Sequence, residues 1–202
     1  LAVVFFTPFV LSISTSLKTS SQVYRVPMEW MPSPFEFRNF SNAWSQSRLA
    51  RPISNTLLIT ALSMAGVFIS VPLVAFGFAR IKFAGRGFLF MVLLSTMMLP
   101  IQITIIPLYV IYKSIGWLDT YRPLIVPAFL GGAPFFVFLV RQFFLTIPIS
   151  LEDAATIDGC SRIGVFLRIF LPLSRPALAA IGIFAFVNTW NEYLRPLVFI
   201  RS

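Results

Sequence analysis

The 202-residue sequence has no histidine and a single cysteine, Cys160. Without imidazole there is no Ser-His-Asp or Cys-His nucleophile and no histidine-based zinc site. A lone thiol closes no internal disulfide. Charge is scarce as well. Only 11% of residues are Asp, Glu, Lys or Arg, where a soluble domain carries roughly 25%. Seven of these are acidic, which leaves a net charge of +9. No G-x-x-x-x-G-K-[ST] phosphate loop occurs, so the chain does not itself hydrolyse ATP. These absences leave no catalytic constellation, metal site or bound cofactor to expect. What is abundant is apolar: 57% hydrophobic residues, 23 Phe and 15 Pro, with a mean hydropathy of +0.86. A soluble fold could not bury so much, and the class is an all-α polytopic membrane protein. The basic residues are strung between apolar runs, which reads as membrane flanking and not as nucleic-acid binding.

Five uncharged runs mark candidate spans, since a bilayer core needs about 20 apolar residues in a helix. They cover residues 1–17, 52–79, 87–112, 123–140 and 176–191, the last continuing over 193–200 around Arg195. None alternates as a membrane β-strand would. The first run has no basic stretch before it and begins at Leu1. It reads as a truncated membrane helix, with a processed signal segment as the lesser option. The chain ends just after the last span, at Arg201 and Ser202, so the natural protein is expected to extend beyond both ends. Residues 1–202 are expected to form one transmembrane domain. Charge does not fix its orientation: Arg80, Lys82, Arg86, Arg141, Arg162, Arg168 and Arg175 stand against Lys18, Arg25, Arg38, Arg48, Arg51, Lys113, Arg122, Arg195 and Arg201.

The connection over 141–175 carries Glu152, Asp153 and Asp158, three of the seven acids. Ser150 is a candidate N-cap, with Asp153 three residues on as in a capping box. Residues 151–158 then give about two helical turns, and Gly159 stands where a left-handed residue ends them. Ser161 can cap a second helix over 162–170, which Pro172 terminates. Ala154 and Ala155 give the first helix a small-residue face. On these grounds alone the segment is either a docking element or a helical hairpin lying on lipid.

The spacing Asp153-Ala154-Ala155, three residues, Gly159, nine residues, Ile169, one residue, Leu171-Pro172 resembles the EAA loop of permease subunits from binding-protein-dependent ABC importers. Ile157-Asp158-Gly159, Arg175-Pro176-Ala177-Leu178 and Trp190-Asn191-Glu192 are similar to the carbohydrate branch, in particular the maltose-type second permease. Ser16-Leu17-Lys18-Thr19, Phe78-Ala79-Arg80 with Gly85-Arg86, and Arg141-Gln142-Phe143-Phe144 agree with that branch. Asp153 stands where the family usually has Glu. The family usually has six spans, and five are present here.

The resemblance implies a type I importer permease in a bacterial or archaeal cell inner membrane, with the 141–175 loop in the cytoplasm. It implies that Asp153, Ala154, Ala155, Asp158, Gly159, Ile169, Leu171 and Pro172 belong to a loop that docks on separate ABC ATPase subunits. A second, homologous permease would complete the pore, and an extracytoplasmic solute-binding protein would deliver a sugar or related solute. The same loop in an amino-acid or peptide importer is the alternative within transport. A membrane-embedded enzyme lacks its catalytic groups, and a simple channel gives no reason for the loop spacing.

Pro72, Pro100, Pro107, Pro127, Pro134 and Gly131-Gly132 interrupt the spans, as broken helices lining cavities do. Gln102 and Thr104, between Pro100 and Pro107, mark an irregular polar stretch and a candidate pathway. Asn188, Asn191 and Glu192 fall on one helical face at i, i+3, i+4, and an ionisable group in an apolar run is by default a functional candidate. The alternative is interfacial anchoring, with Trp190 and Tyr193 as an aromatic belt and Arg195 paired to Glu192.

Overall fold

The computed structural model describes residues 2–46 and 49–201, so Arg48, Leu1 and Ser202 lie outside the described residues. Every regular element among them is helical. The contacts divide the chain into a unit ending at Asn55 and a larger one beginning at Thr56.

In the first unit, α1 (Ala2–Ser16) is apolar along most of its length and contains Pro8. It is followed by the short α2 (Ser20–Val23) and by α3 (Arg38–Gln46). The proline-rich connection folds back on the end of α1, where a helix leaves carbonyls unsatisfied. The Asn39 amide donates to the Ser16 and Lys18 carbonyls at 3.0 and 2.8 Å, and the Glu36 N–H to Leu17 O at 2.9 Å. Ser14 Oγ donates to Trp30 O.

The larger unit is built on the part of α4 (Ala50–Arg80) that follows Asn55; the helix's 31 residues exceed what the hydrocarbon core requires. Its buried stripe runs through Thr60, Ser63, Gly66, Val67, Ser70, Val71, Ala75 and Ala79, recurring once per helical turn and rich in small residues. Such a face lets another backbone come close. After it come α5 (Arg86–Ser95), a tight turn at Thr96–Met98 and α6 (Ile101–Ser114). Then α7 (Arg122–Phe129) and α8 (Pro134–Thr146) meet across Gly131 and Gly132, whose φ values of +107° and +59° only glycine adopts freely.

The α7–α8 segment runs parallel to α4 in nearly constant register. Ser63 Oγ donates to Leu124 O at 3.2 Å and Ser70 Oγ to Ala128 O at 2.7 Å. Farther along, Arg141 Nε donates to Phe78 O and Arg80 reaches Phe144 O. The Ser70 bond satisfies a carbonyl in the last turn of α7, which the glycine break leaves without its helical donor. At Gly66 a Cβ would lie 2.8 Å from the Phe129 ring and 3.0 Å from the Ala128 backbone. Gly66→Val is therefore expected to separate α4 from α7. A drop of several degrees in the melting temperature of the detergent-purified protein would show it, and an unchanged melt would argue that the helices slide apart freely.

Among the described residues two helical segments are long and apolar enough to cross a membrane, Ala50–Arg80 and Arg122–Thr146. Two bent pairs bring the number to four: Arg86–Met98 with Ile101–Ser114 (105°), and Arg162–Leu173 with Arg175–Trp190 (75°). The first run is a shorter apolar helix, Val4–Ser16. The run over 87–112 thus does not form a straight helix. It breaks at Leu99–Pro100, because Pro100 is held at φ −67° and ψ 143° and Leu99 before it is extended. The irregularity expected around Gln102 and Thr104 falls before them instead. Both residues sit in regular α6, and Pro107 is accommodated inside it.

Candidate coupling loop and polar cavity

After α8 the chain turns at Pro148 into α9 (Ile149–Ile157), then passes through Gly159 into α10 (Arg162–Val165). A widened π-turn (Phe166–Phe170) and α11 (Leu171–Leu173) follow, before the chain bends at Ser174 into α12 (Arg175–Trp190) and α13 (Leu194–Phe199). Gly159 has φ +79° and Ser161 accepts from Gly164 N–H at 3.2 Å, both as the sequence indicates. Two local expectations are corrected. The N-cap of α9 is Pro148 and not Ser150, so no capping box forms with Asp153. Proline at the cap is held extended (φ −58°, ψ 136°), which starts the helix two residues early and places Ser150 in its first turn. Nor does Pro172 end the second helix. The π-turn ahead of it relieves the clash a proline ring makes with the carbonyl four residues back, and the helix runs on to Leu173.

The loop has two sides. Inward, Phe166 and Phe170 are buried with Phe76 of α4 and Phe144 of α8; Phe76 lies 5.2 and 5.0 Å from the two loop rings, and Phe144 lies 5.3 Å from Phe170. Val165 is buried beside them, and Ala155, Ile169 and Leu171 pack against the same core. Outward, Asp153, Ala154, Asp158, Gly159 and Pro172 are exposed. So are two isoleucines, Ile157 at 86% and Ile163 at 71%. Of the eight loop residues that the resemblance implies, three therefore pack against the core and five face outward. The outer side presents a small-residue step, two acids and two exposed isoleucines.

The second feature is an open cavity of about 260 Å³ lined by α4, α7, α8 and the junction of α12 with α13. Its polar lining comes from Thr56, Ser63, Asn188, Thr189, Glu192 and Arg195, with Trp190 and Phe136 as aromatic walls. Asn188 and Glu192 share it, but Asn191 does not. The three were expected on one helical face. In the structure α12 ends at Trp190, Asn191 caps it and donates to Val187 O at 2.8 Å, and Glu192 lies in the following turn. Helical spacing does not continue past the end of a helix. Glu192 accepts from Arg195 Nη2 at 2.6 Å and Nε at 2.8 Å, and its other oxygen takes the Arg195 N–H. Arg195 pairing is thus as the anchoring alternative supposed, yet the pair borders the cavity. Gln102 is exposed and Thr104 half-buried, both outside the cavity.

Residues 64–201 match the family described as binding-protein-dependent transport system inner membrane component. The chain belongs to that family. Among its relatives is a probable ABC transporter permease protein, YurM, of Bacillus subtilis, 38% identical over 96% of this chain and 64% of its own length. The arabinooligosaccharides transport system permease protein AraQ of Halalkalibacterium halodurans is 33% identical over 96% of this chain and 70% of its own. A bacterial ABC transporter involved in importing the acidic polysaccharide alginate shares the fold, with a TM-score of 0.89, 24% identity, and coverage of 100% of this chain and 70% of that one. The permease chain thus spans about two thirds of the length of the relatives it matches. Sequence reasoning missed Ser63, Thr189 and the role of Arg195 in the cavity. Their only linear signal was polarity within an apolar run, which many membrane helices share.

Proposed function

We propose that this permease forms half of an ATP-driven import pore for an oligosaccharide or related sugar in the inner membrane. In this reading residues 1–202 form one five-span transmembrane domain, and the 141–175 loop faces the cytoplasm. The exposed side of α9, with Asp153, Ala154 and Asp158, docks on a separate ABC ATPase subunit. A homologous permease supplies the other half of the pore, and an extracytoplasmic binding protein delivers the solute. The observation that carries the reading is a loop whose short helix α9 has an exposed apolar and acidic face and whose π-turn is seated through Phe166 and Phe170 on the two longest apolar segments. A docked partner that moves this helix moves α4 and α8 with it. Carbohydrates appear in the names of several relatives, including AraQ and the sulfoquinovosyl glycerol permease SmoH of Agrobacterium fabrum, which favours sugar over amino-acid or peptide import.

The test is uptake of labelled oligosaccharide into vesicles holding the full-length protein, its permease partner, the ATPase and the binding protein. Accumulation is expected only with ATP and binding protein together. Equilibration without ATP would make the protein a channel, and uptake of peptides in preference to sugars would favour the alternative substrate class.

A further inference from the structure

Where α4 and α8 end side by side, each sends an arginine across to the other. Arg80, the last residue of α4, donates through Nη2 to Phe144 O at 2.7 Å and to Ile147 O. Arg141, in α8, donates through Nε to Phe78 O at 3.2 Å, in the last turn of α4. Parallel helices bring like dipole ends together, and the last carbonyls of each lack helical donors. The two guanidiniums answer both problems at once. Each also lies over an aromatic ring, Arg80 4.9 Å from the Phe170 centroid and Arg141 4.1 Å from that of Phe90.

The two differ in what else they touch. Arg141 joins α8 to α4 and α5. Arg80 also reaches the docking loop from both sides: Phe170 of the π-turn lies beneath it, and Glu152 Oε2 of α9 is 3.9 Å from its Nη1. An arginine at the end of a membrane helix ordinarily extends its head to water. The Arg80 side chain is only 9% exposed: Nη2 donates to two carbonyls inside the chain, Nη1 faces Glu152, and Nε is buried without an acceptor. A charge withdrawn from water in this way marks a joint that must hold its angle.

We propose that Arg80 is a positioning residue that locks α9 to the ends of α4 and α8, so that displacement of the docking helix turns the two long helices as one body. The proposal rests on the transport reading for its physiological meaning, and on geometry for the joint itself. Loss of the joint leaves α9 able to dock but free to swing, so ATP is hydrolysed without moving the pore. Arg80→Lys keeps the charge on a single ammonium, which cannot serve the two carbonyls and face Glu152 at once as Nη2 and Nη1 do, nor lay a planar guanidinium over Phe170. Glu152→Gln removes the weaker arm alone.

Two measurements on the full-length protein test this. In the assembled transporter, the number of solutes moved per ATP is expected to fall at least tenfold for Arg80→Gln, by less for Arg80→Lys and about twofold for Glu152→Gln, at equal amounts of co-purified ATPase. Uptake and hydrolysis falling together, with their ratio unchanged in all three, would overturn the proposal. Independently of transport, spin labels at Ala84→Cys and Thr156→Cys, with Cys160→Ala and other cysteines removed, report the angle between the end of α4 and α9. A narrow distance distribution that broadens in Arg80→Gln, or in Arg80→Lys should the first variant not assemble, is expected. An equally narrow distribution would overturn it. A parent complex that transports nothing would count against the transport reading, while the distance measurement would still decide the role of Arg80.

Discussion

Asp153→Lys combined with Gly159→Pro is expected to abolish uptake and release the ATPase while the protein still inserts in the membrane. Asp153 is exposed, so reversing its charge removes a docking group at little cost to the fold. Gly159 acts through the backbone. Its φ of +79° lies where proline, fixed near −65°, cannot go. A Cβ at 159 would meet open space, so crowding plays no part. The turn between α9 and α10 then cannot close, and α9 loses the packing of Ala155 against the core. Alanine at 159 strains the left-handed turn by about 1–2 kcal/mol and should lower uptake only partially. Asp153→Glu, which restores the residue usual at this place in the loop, is expected to be neutral or mildly favourable. Co-purification of the ATPase with the double variant at the parental level would remove the loop from the docking surface.

What was legible in the sequence follows a physical line. Gly159 and Ser161 could be read because the left-handed turn and the N-cap depend on neighbours within three residues. The long apolar segments could be read because bilayer thickness fixes their length. Ser150 and Pro172 were misjudged for a related reason: at both places a second local signal competed, proline as an extended cap in one case and a π-turn that absorbs proline in the other. The partners of Arg80 lie 64 and 67 residues away. No periodicity relates them, and the side chain reads as an ordinary flanking charge until α4 and α8 are seen to end together. The break at Leu99–Pro100 belongs with the local signals, because Pro100 is among the residues expected to interrupt the spans, whereas Gln102 and Thr104 beside it stay in regular helix. The Asn188, Asn191, Glu192 face failed because helical spacing was extended past Trp190, where the helix stops.

That failure sharpens the expectation for the cavity. Asn188 and Glu192 line it, whereas Asn191 turns back to its own helix. Cysteine introduced singly at 188 and at 191 in a Cys160→Ala background should therefore behave differently toward a membrane-impermeant thiol reagent in the assembled transporter. Labelling at 188 is expected to change severalfold between the ATP-bound and ATP-free states and to be slowed by saturating oligosaccharide. Labelling at 191 should respond to neither. The pair of Glu192 and Arg195 is partly exposed, and such pairs contribute about 0–1 kcal/mol to stability. Glu192→Gln should accordingly leave the melting temperature within a degree or two. It should nonetheless reduce uptake about tenfold or more, because it frees Arg195 and alters the one charged wall of the cavity. Joint replacement of Asn188 and Glu192 by alanine should go further and leave only residual uptake. Full transport by that variant, together with state-independent labelling at 188, would assign Glu192 and Arg195 to interfacial anchoring and place the solute path elsewhere.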